Sequence, residues 1–186
     1  MDGGGGEGLE RELKFACSEL NELRERLVAM GAERIAAPSL EDNAVFDRED
    51  ELRENGRLLR LRRDGQGARL TYKGPARSDK GVKIREERET RVDDADAVDR
   101  ILTNLGYAVV YRYQKRREEW RVGGVAIALD HTPIGDFVEF EGERAEKLAE
   151  RFDFQPEVAE RRNYIQLYRE YRRQNPSAPE NMIFSS

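Results

Sequence analysis

The chain has 186 residues, enough for one domain with a substantial core, and 38% of them are charged. Its 38 acidic and 33 basic residues give a formal net charge of −5, which argues against a nucleic-acid-binding or membrane-surface protein, since either would carry a basic excess. One cysteine and one histidine argue against a disulfide framework, a thiolate or histidine zinc site and a Ser-His-Asp triad.

No apolar run in the chain approaches membrane-spanning length. The first methionine is not followed by the hydrophobic segment of a signal peptide. A cytoplasmic protein is therefore the expectation.

Strand and helix patterns alternate in the N-terminal part of the chain. Residues 1–8 are rich in glycine and predict a flexible leader. Charged and apolar residues alternate in LERELKFA, which predicts a strand over 9–16. Helical spacing of leucines then predicts a helix from a cap at Ser18 to Met30, with Gly31 as its stop.

The middle of the chain predicts mostly strands. A strand is expected at 43–48, and ELRENGR predicts a short helical turn closed by Gly56. Asp64-Gly65 lies between two strand-like runs and predicts a hairpin. GVKIREERETRV is predicted as a long strand, and DDADAVDRILTNLGY as a helix capped by one of its first two aspartates.

The C-terminal part of the chain adds three strands and two helices. The strands lie in AVVYRYQKRREEWRV and VAIALDHTPIGDFVEFEG, and Gly123-Gly124 joins the first two. Helices are predicted over 143–152 and 158–173, followed by a polar tail over 175–186. The predicted fold class is α+β, with a mostly antiparallel sheet.

One face of nearly every predicted strand is charged, whereas exposed sheet faces usually mix hydroxyl and amide side chains with the charges. The carboxylates on these faces are Glu10, Glu12, Glu87, Glu89, Asp130, Glu139 and Glu141. The cations are Lys14, Arg60, Arg62, Arg69, Lys73, Lys83, Arg85, Lys115 and Arg117. A solvated face explains each strand singly, but a sheet rolled into a barrel would bring the first and last strands together and turn the charges inward.

The residues of such an interior point to a metal ion and a polyphosphate. Carboxylates at close range repel one another unless a divalent cation lies among them, and ligation by oxygen alone suits Mg²⁺ or Mn²⁺. The cations suit an anion with several negative charges, because arginine is a fork-shaped phosphate ligand.

These residues together resemble the CYTH family, the triphosphate tunnel metalloenzymes, which include class IV adenylyl cyclases, thiamine triphosphatases and inorganic triphosphatases. The family hallmark Glu-x-Glu-x-Lys is matched by Glu10, Glu12 and Lys14. Later family elements follow in order as Arg60 and Arg62, Lys73, Arg85 with Glu87 and Glu89, Lys115 with Arg117, Asp130 with Gly135, and Glu139 with Glu141. Asn163-Tyr164 stands in place of a Ser-Tyr-like element.

The resemblance spans about residues 9–168 and implies one tunnel domain over 9–174. The implied fold is a closed eight-stranded antiparallel β-barrel with helices packed outside. The implied metal ligands, for Mg²⁺ or Mn²⁺, are Glu10, Glu12, Glu87, Asp130, Glu139 and Glu141. The implied triphosphate-binding residues are Lys14, Arg60, Arg62, Lys73, Arg85, Lys115 and Arg117. Glu10, Glu12 and Lys14 are the catalytic candidates, with Lys14 either a phosphate ligand or a proton acceptor.

Three functions compete. Hydrolysis of a small-molecule triphosphate (tripolyphosphate, thiamine triphosphate or a nucleoside triphosphate) is favoured. A class IV adenylyl cyclase, which converts ATP to cyclic AMP and pyrophosphate, is the close alternative, although GGGGEG replaces the His-Phe pair that such cyclases carry ahead of the first strand. A non-catalytic module that binds polyphosphate or nucleotides is third. A homodimer is compatible with the family.

Residues outside these elements are expected to be structural. Tyr111, Tyr113 and Trp120 are predicted to pack on the outside of the barrel. His131 and Cys17 are predicted to have packing roles.

Overall fold

A closed barrel of antiparallel strands with helices on its outside forms the computed structural model, which describes residues 9–79 and 82–185. The leader predicted over 1–8 lies outside the described residues. The strands are β1 (Leu9–Ala16), β2 (Glu33–Asp47), β3 (Leu58–Asp64), β4 (Gly67–Lys73), β5 (Arg77–Asp79), β6 (Val82–Val92), β7 (Ala108–Val122), β8 (Val125–Thr132) and β9 (Gly135–Glu141). The helices are α1 (Leu20–Ala29), α2 (Glu51–Glu54), α3 (Ala95–Asn104), α4 (Ala145–Arg151) and α5 (Tyr164–Gln174), with a short 3-10 turn at Pro156–Val158.

The barrel wall has the strand order β1-β9-β8-β7-β2-β3-β4-β6 and closes where β6 pairs with β1. Glu10 lies opposite Arg85 across that closing pair, and Lys14 lies opposite Glu139 on the other side of β1. Paired residues of an antiparallel ladder point to the same face, so these registers turn the charged faces of the strands inward together. The predicted eight-stranded antiparallel barrel is confirmed.

The apolar faces of the strands point outward and are covered by helices. Leu23 and Leu27 of α1 and Leu148 of α4 pack against Leu13 and Phe140 of the barrel wall. A separate cluster packs α3 against β2 and β3. Burial of these apolar side chains on the outside of the barrel is what stabilises the inward placement of the charges.

Local sequence explains the element boundaries that were predicted correctly. Asp94 caps α3 by accepting a hydrogen bond from the Ala97 amide at 2.8 Å. Gly123 and Gly124 take positive φ values of 57° and 80° in the turn between β7 and β8, a conformation that favours glycine in a two-residue hairpin.

Three predicted boundaries were wrong. Ser18 does not cap α1, which begins at Leu20 with Glu19 at the N-cap position and no side-chain cap. β2 begins at Glu33, not near 43, because irregular registers between Arg34 and Ser39 let a proline-containing segment pair with β7. α5 begins at Tyr164, not near 158, because Asn163 and Gln166 form a capping box there.

The polar tail packs on the barrel. The amide and carbonyl of Met182 hydrogen-bond to the carbonyl of Arg112 and the amide of Gln114, on a part of β7 that β8 does not reach. The Met182 side chain is 0% exposed and lies among Tyr113, Tyr164 and other residues of one cluster. Within the described residues, no helix is both long and apolar enough to cross a membrane.

Candidate functional site

The predicted cations converge on one cavity in the barrel interior, of about 80 Å³. Its lining includes all of the predicted anion-binding residues, Lys14, Arg60, Arg62, Lys73, Arg85, Lys115 and Arg117. Four of the predicted carboxylates, Glu10, Glu12, Glu139 and Glu141, also line it, whereas Glu87 and Asp130 lie behind its surface.

Asp130 organises the cations on one side of the cavity. It is 0% exposed and accepts hydrogen bonds from Lys115 Nζ at 2.9 Å and from Arg117 Nε at 2.7 Å. Arg117 also pairs with Glu139. The pKa of Glu139 lies well below its usual value, because Arg117, Lys115 and Lys14 outweigh the effect of burial. Asp130 and Glu139 therefore orient the cations beside them, and Glu139 stays ionised.

Lys14 lies between two carboxylates and an aromatic ring. Its Nζ is 3.3 Å from Glu139, 3.6 Å from Glu12 and 4.2 Å from the centre of the Tyr164 ring. Burial disfavours its charge, but Glu139 and Glu12 outweigh burial and raise the pKa of Lys14 above its usual value. In this arrangement Lys14 is a protonated donor.

Glu10, Glu12 and Glu141 form a cluster of carboxylates where β1 and β9 meet. Glu12 lies opposite Glu141 in the register. Glu10 accepts a hydrogen bond from Lys73 at 2.8 Å, while its other oxygen is buried with no hydrogen-bond partner among the described residues. Desolvation together with Glu10 and Glu12 raises the pKa of Glu141 to about 7, although Glu141 is partly exposed to solvent.

These carboxylates suit a divalent cation by their chemistry. A buried carboxylate oxygen without a partner and mutually repelling carboxylates are what an oxygen-ligated cation relieves. In the part of the chain that the structure describes, no three acidic, histidine or cysteine side chains are already arranged at ligand positions. Of the predicted ligands, Glu87 pairs with Lys73 at 2.7 Å, and Asp130 and Glu139 pair with the cations described above.

Glu41, a buried carboxylate on β2, also belongs to the site and was not predicted from the sequence. It pairs with Arg62 at 2.8 Å and lies 3.6 Å from Lys115. Burial disfavours its charge, but Lys115, Arg117 and Arg62 prevail and lower its pKa to about 2. A longer β2 would have identified Glu41, because it shares the inner face with Asn43, which accepts a hydrogen bond from Arg62 at 3.1 Å.

Two tyrosines also reach the interior. Arg60 donates a hydrogen bond to the Tyr113 hydroxyl at 3.2 Å. The prediction that Tyr113 packs outside the barrel was therefore wrong. Tyr113 lies opposite Asn43 in the strand register, and this places its side chain on the inner face. Tyr164, at the start of α5, donates to Asp130 at 2.7 Å. Trp120, by contrast, packs in the outer core as predicted.

A larger cavity of about 480 Å³ adjoins the first one, and we call it the vestibule. The two cavities share Leu58, Lys83, Arg85, Asn163 and Ile165 in their linings, so they form one continuous opening. Apolar walls come from Val45, Leu52, Leu58, Val110, Tyr111 and Ile165, and arginines from Arg53, Arg57, Arg161 and Arg169.

Known proteins resemble this chain over most of its length. A sequence model of the CYTH domain matches residues 8–166. A protein of Methanocaldococcus jannaschii with the provisional name adenylate cyclase MJ0240 is 30% identical over 134 residues, which cover 72% of this chain and 76% of that protein.

Solved structures show the same barrel. The PH1819 protein of Pyrococcus horikoshii OT3 is 28% identical with a TM-score of 0.72, covering 88% of this chain and 99% of the other. A Vibrio parahaemolyticus protein provisionally named an adenylate cyclase is 23% identical with a TM-score of 0.78 and the same coverage. HpAC1 of Hippeastrum, provisionally named an adenylyl cyclase and described as having a dominant triphosphatase activity, is 17% identical with a TM-score of 0.68, covering 88% and 96%.

Proposed function

The chain belongs to the CYTH domain family, and on that basis we propose that it is a metal-dependent phosphohydrolase whose substrate is a triphosphate bound in the barrel interior. The observation that carries the proposal is the convergence of eight cations, the seven predicted anion-binding residues and Lys83, on one cavity that also contains carboxylates. A chain of phosphates offers that many negative oxygens in a narrow space, whereas a single carboxylate or phosphate does not.

The cations would bind the triphosphate from several sides. Arg60 and Arg62 come from β3, Lys73 from β4, Arg85 from β6, and Lys115 and Arg117 from β7. Carboxylates, hydroxyls and, for Arg85, the Gly74 carbonyl already hold these side chains in place, so part of the conformational entropy of ordering them is already lost in the folded protein.

Glu10, Glu12 and Glu141 would hold the metal, which when bound neutralises phosphate charge and lowers the pKa of a coordinated water. Lys14 would act as a phosphate ligand, because its ammonium group is already oriented by Glu12 and Glu139. Phosphoryl transfer depends mainly on positioning and charge stabilisation, so no covalent nucleophile from the chain is required.

A class IV adenylyl cyclase is the second candidate. The vestibule favours it, because its apolar walls adjoin the cationic cavity and could bind a base and a ribose. The provisional name of the Methanocaldococcus jannaschii relative points the same way. Cyclisation also requires the ribose 3′-hydroxyl to lie in line with the α-phosphorus, a stricter requirement than hydrolysis, which needs only the phosphates to be held. We therefore rank hydrolysis first.

One assay separates the two reactions. The protein is incubated with tripolyphosphate or ATP, with Mg²⁺, Mn²⁺ or EDTA, and orthophosphate, pyrophosphate and cyclic AMP are measured separately. Metal-dependent release of orthophosphate from both substrates supports the proposal, with Glu12→Gln as the inactive control. Cyclic AMP as the main product of ATP, with tripolyphosphate untouched, identifies the cyclase.

A further inference from the structure

The vestibule carries an excess of positive charge that a triphosphate in the adjoining cavity leaves unused. Its lining contains two carboxylates, Asp47 and Asp50, and six cations, of which Lys83 and Arg85 also line the interior cavity. The other four, which we call the rim arginines, are Arg53, Arg57, Arg161 and Arg169. The chain as a whole has a formal net charge of −5, so this concentration of cations is local.

Most of the rim arginines are free to bind a ligand. Arg57, Arg161 and Arg169 have no ion-pair or hydrogen-bond partner among the side chains that the structure describes. Arg53 is paired with Asp50 at 2.8 Å. The carboxylate of Asp47 is engaged by the backbone, since it accepts hydrogen bonds from the amides of Arg48, Leu52 and Arg53.

The rim arginines come from two separate segments. Arg53 and Arg57 lie at α2 and the loop that follows it, whereas Arg161 and Arg169 lie before and within α5. The same lining has apolar walls from Val45, Leu58, Tyr111 and Ile165, and two of these residues, Leu58 and Ile165, also line the interior cavity. A ligand that extends from the interior cavity into the vestibule therefore meets apolar side chains as well as the rim arginines.

We propose that the vestibule is a second anion-binding subsite, which takes the sugar end of a nucleoside 5′-triphosphate that carries a further phosphate on its ribose. This inference rests on the proposed function, because it places the triphosphate in the interior cavity. A longer inorganic polyphosphate fits less well, since its charged middle would be desolvated against the apolar walls. In the proposed ligand, the nucleoside presents an apolar surface to these walls, and the phosphate on the ribose is available to the rim arginines.

Calorimetry in EDTA tests the subsite with three probes: tripolyphosphate, ATP and adenosine 3′-phosphate 5′-triphosphate. The wild type should bind the 3′-phosphorylated nucleotide at least about tenfold more tightly than ATP, the effect of one charge-assisted hydrogen bond. The double variant Arg161→Ala/Arg169→Ala should reduce that advantage below about threefold and leave tripolyphosphate affinity within about twofold of wild type. Arg100→Ala, an exposed arginine on α3, is the matched control and should behave as wild type.

Equal affinity of the wild type for the two nucleotides overturns the subsite. So does an advantage that the double variant retains. Tripolyphosphate tests the proposed function separately, because it carries no nucleoside. A wild type that binds tripolyphosphate but does not prefer the 3′-phosphorylated nucleotide to ATP refutes the subsite alone. A wild type that does not bind tripolyphosphate refutes the premise.

Discussion

The predicted anion-binding cations of the barrel interior are oriented by carboxylate or hydroxyl partners, except Arg85, which donates to the Gly74 carbonyl at 2.6 Å. Arg60 donates to Tyr113 and to Thr71, both at 3.2 Å, while its Nε has no partner among the described residues. Such a guanidinium is oriented by the protein and still has a donor available for a ligand. Arg62 differs, because it also neutralises the buried Glu41.

Arg60 is therefore the clearest single test of anion binding. Arg60→Ala should weaken tripolyphosphate binding by about 1.5–3 kcal/mol, the range for a hydrogen bond to a charged group. Calorimetry measures the change. Arg62→Ala tests anion binding less directly, because it also removes an ion-pair partner from the buried Glu41. Arg100→Ala serves as the surface control. An unchanged affinity in Arg60→Ala would place the phosphates elsewhere.

Glu141 makes the metal-free protein sensitive to pH. Its folded pKa of about 7 lies above the ordinary value of 4.5, so the folded state prefers the protonated carboxyl. The stability from this preference is complete below the ordinary value and is lost as pH rises through the folded pKa. Solvent screening of its exposed side limits the effect to about 1 kcal/mol, or about 2–4 °C in Tm.

In EDTA, the Tm of the wild type should fall by about 2–4 °C more than the Tm of Glu141→Gln between pH 5.5 and pH 8. Differential scanning calorimetry measures both values. Glu41 and Glu139 contribute no such decline, because their pKa values are lowered and both stay ionised across this range. Parallel Tm curves for the two proteins would show that the carboxylates of the cluster do not repel one another.

The positions of whole elements depend on contacts between distant parts of the chain. α5 places Tyr164 in the interior, and the tail then crosses α5 and pairs with β7 at Met182. Tyr168 of α5 also donates to the Pro179 carbonyl at 3.0 Å. The tail thus fastens α5 to the barrel.

Met182→Ala should destabilise the protein by about 2–5 kcal/mol, the cost of a cavity in a packed core. The matched control is Ile183→Ala, since the neighbouring Ile183 side chain is 41% exposed, and its effect should be within about 0.5 kcal/mol. Urea unfolding gives both values. Equal effects of the two substitutions would mean that the tail does not secure α5.

Alternation along single strands was enough to predict which residues face inward, because β-strand geometry is local. β1 and β9 were predicted with their charged faces correct, and the resemblance supplied the closed barrel. Glu41 was missed because the irregular pairing of β2 around Pro38 hides the strand pattern. Burial of Met182 depends on a contact between the tail and β7, about seventy residues apart in the chain, and no local pattern predicts it.

Across the whole molecule, two cavities that share residues with the interior cavity differ in charge. The vestibule lining has six cations and two carboxylates, whereas a smaller cavity that shares Arg117 has three carboxylates, Glu41, Asp64 and Glu119, and two arginines. A polyanion is attracted more strongly by the first, so we expect substrate to approach through the vestibule.

The central claim is that the inward-facing charges bind a chain of phosphates as a unit. The most direct measurement is calorimetric titration of the wild-type protein with tripolyphosphate and with orthophosphate under identical conditions. We predict one tripolyphosphate per chain, bound at least about a hundredfold more tightly than orthophosphate, a difference of about 2.7 kcal/mol that two additional charged hydrogen bonds supply. Equal affinity for the two anions would contradict the claim.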